Sequence, residues 1–298
     1  MLTKVYAISR VLTLFLINNY ELVCPICKGE LSLVNGNELF GVLKCSKCRE
    51  LYPLGNYFPG IPDLRPKALR IEIFEKAWFN LFKINTDKVT KYPKDLDFRI
   101  NEIPYFVSLL NEECPNEYAS ELEAQYLNEF KDLIKNLGNV LSLGCGCGRD
   151  LKLIGRNKLG IDIFPSNIIL ANSQGILAIL ADARKLPFKD NSFDAILAIQ
   201  SLEYIPIADT LHLINELSRV LKPRGIILLT LEKCSDNIDK EFYYRYKSDY
   251  LVVKHFHRCW GIKGLNEIRK HFNVIRLDED DDYYYVLATN SRKMLSKQ

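Results

Sequence analysis

The sequence predicts an α/β protein: a doubly wound parallel sheet ending in an antiparallel hairpin, preceded by a small cysteine-containing β module and a helical segment. Two observations predict the sheet. From residue 139 onwards, short apolar runs alternate with amphipathic helical patterns, which is typical of a parallel sheet covered on both faces. The first run leads into Gly144, Gly146 and Gly148, a spacing that lets a ligand approach bare backbone after a strand.

Length and composition are compatible with one large domain and accessory parts. The chain has 298 residues, is 48% hydrophobic and carries a formal net charge of +3, which is too mild to indicate a polyanionic partner. We divide it into an N-terminal apolar segment (1–20), a β module (21–66), a helical linker or lid (67–138) and a main domain (139–298).

The N-terminal segment is rich in Leu, Ile and Val between residues 5 and 23, but Arg10, Asn18, Asn19 and Glu21 interrupt it. This pattern disfavours a membrane span, and no small-residue cleavage site follows. We expect a strand or helix packed on the body of a cytoplasmic protein.

The β module contains two Cys-x-x-Cys pairs separated by seventeen residues. Four thiolates at this spacing predict a closed, structural zinc site; a redox dithiol is the alternative. Metal binding explains the nine cysteines better than disulfides do, and we expect Cys145 and Cys147 to be small fillers of the glycine turn. The predicted zinc ligands are Cys24, Cys27, Cys45 and Cys48.

The helical region shows apolar residues at three- and four-residue spacing. One stripe, Phe74, Trp78, Phe79 and Phe82, is either core or a pocket wall. A later stripe predicts a helix that Gly138 ends, with an apolar face of Leu122, Tyr126, Phe130, Leu133, Ile134 and Leu137.

The main domain alternates strands and helices up to residue 231 and ends in two strands joined by an acidic turn. Its predicted strands are Val140–Leu143, Leu159–Ile163, Ile176–Leu180, Ala195–Ile199, Ile226–Leu231, Asn273–Leu277 and Tyr283–Thr289. One predicted helix begins at Asp150. Three further predicted helices cover Ser166–Asn172, Asp209–Leu221 and Leu265–His271.

Two ligand classes suit a glycine-rich turn after the first strand: dinucleotides and S-adenosylmethionine. The third glycine falls at Gly148, a spacing that disfavours NAD. The motif Val140-Leu-Ser-Leu-Gly-Cys-Gly-Cys-Gly148, together with Gly160-Ile-Asp-Ile163 and Ala181-Asp-Ala-Arg-Lys-Leu-Pro-Phe188, resembles the class I S-adenosylmethionine-dependent methyltransferases of the type 11 branch. That resemblance implies a Rossmann-like fold over residues 140–230.

The resemblance also implies roles for individual residues. The glycines approach the methionine part of the cofactor, Asp162 takes the ribose hydroxyls and Asp182 accepts from the adenine amino group. Ser142 stands where the family usually carries an acid, so the cofactor binds more weakly or Asp150 compensates. The implied cofactor-binding residues are Ser142, Gly144, Cys145, Gly146, Gly148, Asp162, Ile163, Asp182, Ala183 and Gln200.

Methyl transfer from a sulfonium needs a general base only when the acceptor must lose a proton. The loop Gln200–Ile205 is expected to face the transferred methyl group. Two histidines one residue apart, His255 and His257, face the same way if they lie on a strand; a surface loop is the alternative. The candidate catalytic residues are Glu203, Tyr204, His255 and His257.

The β module resembles the small zinc ribbon that partners several tRNA and protein methyltransferases. Cys24-Pro-Ile-Cys-Lys-Gly-Glu-Leu31, the second cysteine pair and the run Gly60–Leu64 carry this resemblance, which implies docking to a protein or substrate presentation. The resemblance to ribosomal RNA guanine methyltransferases with a zinc ribbon is looser.

Three functions remain open from the sequence. The first is methylation of a small molecule or lipid-like metabolite. The second is RNA methylation, with phosphate contacts from Lys28, Lys44, Lys47 and Arg49. The third is a non-catalytic binding or partner protein, since Ser142 replaces the usual acid.

Overall fold

The structure, a computed structural model, describes residues 19–58, 60–67, 120–154, 157–247 and 252–292, with only the backbone of 243–247 and 252–255. The aromatic stripe at 74–82 and residues 1–18 lie outside this part. No helix within it is long and apolar enough to cross a membrane.

The N-terminal module is a three-stranded antiparallel sheet in the order β1-β2-β3. Its strands are β1 (Leu31–Gly36), β2 (Gly41–Cys45) and β3 (Leu51–Leu54). Leu43 and Tyr52 are fully buried and form its small core. The predicted β module is confirmed.

The main domain is built on a seven-stranded sheet in the order β11-β12-β8-β7-β4-β5-β6. Strands β8, β7, β4, β5 and β6 are parallel, whereas β12 and β11 form an antiparallel hairpin on the β8 edge. The predicted doubly wound sheet with its C-terminal hairpin is confirmed. The bounds are β4 (Val140–Leu143), β5 (Lys158–Asp162), β6 (Ala178–Leu180), β7 (Phe193–Ala198), β8 (Leu221–Glu232), β11 (Phe272–Glu279) and β12 (Tyr283–Asn290).

Four described helices pack on the sheet: α1 (Glu121–Ile134), α2 (Pro165–Ser173), α3 (Thr210–Val220) and α4 (Ile262–His271). The helix predicted from Asp150 is wrong, because only a 3-10 turn, Asp150–Leu153, fits before β5 begins. On α1, Tyr126, Phe130 and Ile134 are buried as predicted. Leu133 and Leu137, 44% and 39% exposed, do not belong to the buried face.

An antiparallel pair that sequence analysis did not resolve lies between β8 and α4. It consists of β9 (Lys240–Lys247) and β10 (Val252–Cys259). A disulfide joins Cys234, just after β8, to Cys259 at the end of β10. Cys147 is also disulfide-bonded. The preference for metal binding over disulfides is therefore wrong for Cys147, Cys234 and Cys259, and Cys147 is more than a filler of the glycine turn.

The zinc-ribbon module docks on the chain's own main sheet. The Leu64 N–H donates to the Leu180 carbonyl at 2.8 Å, and Asp63 pairs in parallel with Leu180, so the end of the module extends the β6 edge. Edge strands expose unpaired backbone groups, and this contact covers them. Lys28 donates to the Glu216 carboxylate and to the Leu186 carbonyl, each at 2.9 Å, at a second contact.

Buried charge strengthens this docking. Arg65 and Asp63 form a bidentate ion pair, with Nη2 to Oδ2 at 2.7 Å and Nε to Oδ1 at 2.9 Å, and both side chains are almost fully buried. Nη1 of Arg65 also donates to the Ile163 carbonyl at 3.1 Å. The module is therefore tied directly to the ends of β5 and β6, which carry the two predicted cofactor aspartates.

Candidate active site and metal centre

The crevice for a ligand lies at the carboxyl ends of the parallel strands, where the strand order reverses between β4 and β7. The glycine turn opens there, with positive φ at Gly144 (58°), Gly146 (53°) and Gly148 (84°). A Cβ on Gly144 would strike Ser201, whereas one on Gly146 would meet no atom within 4 Å. The backbone at Gly146 therefore faces open space, as a cofactor cradle requires.

Asp162 ends β5 beside this turn and is buried. Its Oδ2 accepts from the Gly146 N–H at 2.9 Å and from Asn167 Nδ2 at 3.1 Å, and its Oδ1 accepts from the Phe164 N–H at 2.9 Å. Burial raises the pKa of this carboxyl, and the N–H donors oppose that rise. Since a carboxylate has about four acceptor positions, roughly one remains for a ribose hydroxyl.

Asp182 follows β6, the strand next to β5. Its carboxylate accepts from the Arg184 side chain (Nη2 to Oδ2, 2.8 Å) and from the Arg184 N–H at 2.9 Å, so it also caps the 3-10 turn Ala183–Lys185. Arg184 bonds onward to Asp209 at 2.7 Å. The structure thus places Asp162 and Asp182 at adjacent strand ends and adds Arg184, a partner that sequence reasoning missed.

The other predicted cofactor residues lie along the same edge. Ser142 is buried within β4, and Ala183 opens the turn after Asp182. Cys145 is a free, buried thiol packed against Gly160; burial raises its pKa, as expected for an inert turn filler. Gln200 follows β7 with φ 47°, and its N–H donates to Thr230 Oγ1 at 2.7 Å.

A further carboxylate, from α1, reaches this crevice. Oε1 of Glu123 accepts from Arg149 Nη2 at 2.9 Å, and Oε2 accepts from Gln200 Nε2 at 2.7 Å. Sequence reasoning missed Glu123 because no spacing within α1 relates it to residues 149 and 200, which lie far along the chain; its N–H donates to Ser120 Oγ, which caps α1. Asp150, the predicted substitute for an acid at position 142, pairs with Arg149 Nε at 2.9 Å.

In the 3-10 turn Leu202–Tyr204, which follows β7, Glu203 is 2% exposed. Its Oε1 accepts from the Glu232 N–H at 3.0 Å, while Oε2 is buried without a hydrogen-bond partner. Burial is the main cause that raises the pKa of this carboxyl to about 7. A buried acceptor without a donor is costly, and a pKa near neutrality suits a group that takes up a proton during a reaction.

His257 lies beside Glu203 and is held by Glu232, with His257 Nε2 to Glu232 Oε2 at 2.5 Å. This hydrogen bond raises the pKa of the imidazole. Tyr204 packs edge-on against His257, with ring centroids 5.7 Å apart. His255 shares β10 with His257 and stands opposite Tyr244, but its side chain lies outside the described part. Glu232 is a site residue that sequence reasoning missed, because β10 alone brings His257 to it.

The four predicted zinc ligands meet in the N-terminal module. The sulfurs of Cys24, Cys27, Cys45 and Cys48 all lie within 4.8 Å of one another. The Cys24–Cys48 and Cys27–Cys45 sulfur distances are 3.6 and 3.4 Å. Sulfurs bound tetrahedrally at about 2.3 Å from a zinc ion lie about 3.8 Å apart, so this cluster fits a structural zinc site.

The surroundings of the cluster also suit thiolates. The backbone N–H groups of Lys47 and Cys48 both donate to Cys45 Sγ at 3.4 Å, and the buried Tyr52 hydroxyl lies 3.1 Å from Cys24 Sγ. A Cβ on Gly29 would come within 2.9 Å of Cys45 Sγ, so the ligand loop closes tightly around the cluster. The four thiolates leave no ligand position for chemistry at the ion.

Strand order and the glycine turn define a Rossmann-like domain with a ligand crevice at its switch point. Comparison with known families agrees: residues 141–229 match the model of a methyltransferase domain. Residues 22–56 match the model of Trm112p-like proteins. The chain therefore carries a methyltransferase domain behind a Trm112p-like zinc-ribbon domain.

Individual relatives differ in what they act on. Over 153 residues, the chain is 32% identical to the sterol 4-C-methyltransferase strm-1 of Caenorhabditis elegans, covering 47% of this chain and 43% of that protein. Over 131 residues it is 28% identical to the probable tRNA methyltransferase 9B of Mus musculus, covering 43% of this chain and 27% of that protein. The chain thus spans less than half the length of either relative.

Solved structures include similar chains. An S-adenosylmethionine-dependent methyltransferase from Clostridium acetobutylicum is 15% identical, with a TM-score of 0.47, covering 63% of this chain and 99% of that one. An S-adenosylmethionine-dependent methyltransferase from Methanosarcina mazei is 21% identical with a TM-score of 0.44, covering 52% of this chain and 93% of that chain.

Proposed function

We propose that this protein transfers the methyl group of S-adenosylmethionine to a small-molecule acceptor that binds between the loop after β7 and strand β10. One observation carries the proposal: Glu203, buried and with an unpartnered Oε2, lies beside the His257–Glu232 pair at the end of the crevice. The side chains gathered there are carboxylates, an imidazole and phenols. They suit an uncharged or cationic acceptor.

The cofactor side of the proposal uses the residues along the β4–β6 edge. The bare backbone at Gly144, Gly146 and Gly148 would lie against the methionine part, where Ser142 and Cys145 form the adjoining floor. Asp162, next to Ile163, would bind the ribose. Asp182, with the Ala183 N–H, would bind the adenine. Gln200 would face the sulfonium.

The bound cofactor supplies a methyl group already activated by its positive sulfur. The protein's contribution is to hold the acceptor in line and exclude water. Where the acceptor must lose a proton, Glu203 Oε2 would receive it, with His257 and Tyr204 orienting the acceptor and His255 the next candidate on β10. Glu232 would act through His257 as a positioning residue.

RNA is the second candidate acceptor. The tRNA methyltransferase relative and the Trm112p-like domain favour it, and Lys47 and Arg49 are exposed beside the metal centre. Lys28, by contrast, is engaged in docking the two domains and is half-buried, so it is a poor phosphate contact. Protein partners of the zinc ribbon remain a further proposal, for surfaces not used in that docking.

Calorimetric titration with S-adenosylmethionine tests the cofactor site. Gly146→Ala should abolish binding, because a methyl group would fill the space left for the cofactor. Gly175→Ala is the matched control: Gly175 also has positive φ (79°), and a Cβ there would meet no atom within 4 Å, but it lies at the far end of α2. Both substitutions should cost about 1 kcal/mol of stability through backbone strain.

Transfer of labelled methyl groups then separates the acceptors. Label in small metabolites supports the proposal, whereas salt-sensitive label in total RNA supports the alternative. If the wild-type protein does not bind S-adenosylmethionine, the result favours the third function, that of a non-catalytic partner protein.

A further inference from the structure

Glu123 joins the two loops that form the walls of the cofactor crevice. Its carboxylate accepts from Arg149, just after the glycine turn that follows β4, and from Gln200, just after β7. Strands β4 and β7 are the neighbours between which the sheet reverses its order. One side chain of α1 therefore spans the switch point where the ligand is expected.

The burial of Glu123 shows that this link is specific. The residue is 1% exposed, and a carboxylate at that depth is stable only when charged or polar donors pair with it. Gln200 depends on the same contact, since it has a left-handed φ of 47° and is held at its N–H by Thr230 Oγ1 and at its Nε2 by Glu123. Without Glu123, the Gln200 side chain loses its anchor.

Strand β4 itself brings no charged side chain to the position just before the glycine turn. Ser142, two residues before Gly144, is buried and neutral. Asp162 contacts the turn through the Gly146 N–H, whereas Asp150 binds the same Arg149 as Glu123, at Nε. Glu123 and Asp150 therefore both bind the Arg149 guanidinium, at Nη2 and Nε, and these two contacts fix the backbone that follows Gly148.

We propose that Glu123 is a positioning residue of the cofactor crevice, holding Arg149 and Gln200 against the methionine end of S-adenosylmethionine. This inference rests on the proposed function, because it assumes that the crevice binds this cofactor. It assigns to α1, which precedes the glycine turn in the chain, a direct part in cofactor affinity.

Calorimetry on the full chain with Glu123→Gln tests the role. Gln keeps the size of the side chain but turns an N–H toward a donor, so we expect the affinity for S-adenosylmethionine to fall about tenfold or more. The control is Glu129→Gln on the same helix, which breaks an exposed ion pair with Arg276 (2.8 Å). Its affinity should stay within about twofold, because exposed pairs contribute little.

A merely structural role is distinguished by a double-mutant cycle. Arg149→Met should also weaken binding, and the double variant with Glu123→Gln should lose less than the sum of the two effects. If Glu123→Gln does not fold, Arg149→Met, at a residue that is not among the proposed cofactor contacts, removes the other end of the same link and should weaken binding likewise.

The outcomes separate the two proposals. Unchanged affinity in Glu123→Gln or Arg149→Met, with a lowered melting temperature alone, overturns the positioning role and leaves the proposed function standing. If the wild-type chain binds no S-adenosylmethionine, both fall together.

Discussion

Replacing Glu203 by Gln should make the protein more stable at alkaline pH while removing the group proposed to take up a proton. Burial raises the pKa of Glu203 from 4.5 to about 7, so its ionised form is held at a cost in the folded chain. Gln resembles the protonated carboxyl in size and hydrogen bonding and is never charged. The variant is therefore a permanent copy of the low-pH state.

The size and sign of the effect follow from the pKa. Between pH 4.5 and about 7 the folded chain binds more protons at this site than the unfolded chain does, so its stability falls as the pH rises through that window. At about 1.4 kcal/mol per tenfold change, the full cost above pH 7 is about 3 kcal/mol. Glu203→Gln should match the wild type near pH 5 and exceed it by roughly that amount near pH 8.5.

Urea unfolding at both pH values measures this difference. Glu216→Gln is the control of opposite sign: burial raises the pKa of Glu216, but hydrogen bonds from Arg219 and Lys28 outweigh it and the net pKa is lowered. A lowered carboxyl pKa stabilises the fold above the unfolded value, so Glu216→Gln should be less stable than the wild type at both pH values. A stability difference for Glu203→Gln that does not change with pH would refute the reasoning.

Three further predictions concern the parts that hold the fold together. Cys24→Ser, or chelation, should release one zinc ion per chain and unfold the ribbon, as judged by metal analysis and limited proteolysis. Arg65→Met should lower the unfolding free energy by about 3–5 kcal/mol, because it leaves Asp63 buried without its partner; a loss under about 1 kcal/mol would contradict this. Replacing Cys234 and Cys259 together by Ser should cost about 3 kcal/mol of stability in urea unfolding, since the disulfide closes a 25-residue separation.

Features that depend on residues close together in the sequence were predicted correctly. The alternation of apolar strands and helices after residue 139 led to the observed sheet, and the two Cys-x-x-Cys pairs led to a cluster whose sulfurs lie within 4.8 Å. The glycine turn has the positive φ angles that its residues suggest. Each of these features depends on residues close together in the chain, where periodicity and conformational preference act directly.

Contacts between distant segments were not predicted. The His257–Glu232 hydrogen bond and the Cys234–Cys259 disulfide depend on how the β9–β10 pair folds back on the sheet. The helix expected from Asp150 failed for a related reason, because the position of β5 leaves room for a single turn only.

The sequence by itself determined the class of fold, the four-cysteine cluster and the glycine turn at the edge of the sheet, because spacing within one segment is enough for each. Only the tertiary structure decided which charges complete the crevice: Glu123 from α1, Arg184 on Asp182, and Glu232 on His257. A buried charged side chain needs a partner, and where a distant segment supplies it, as for Glu123 and His257, no spacing within either segment predicts the contact.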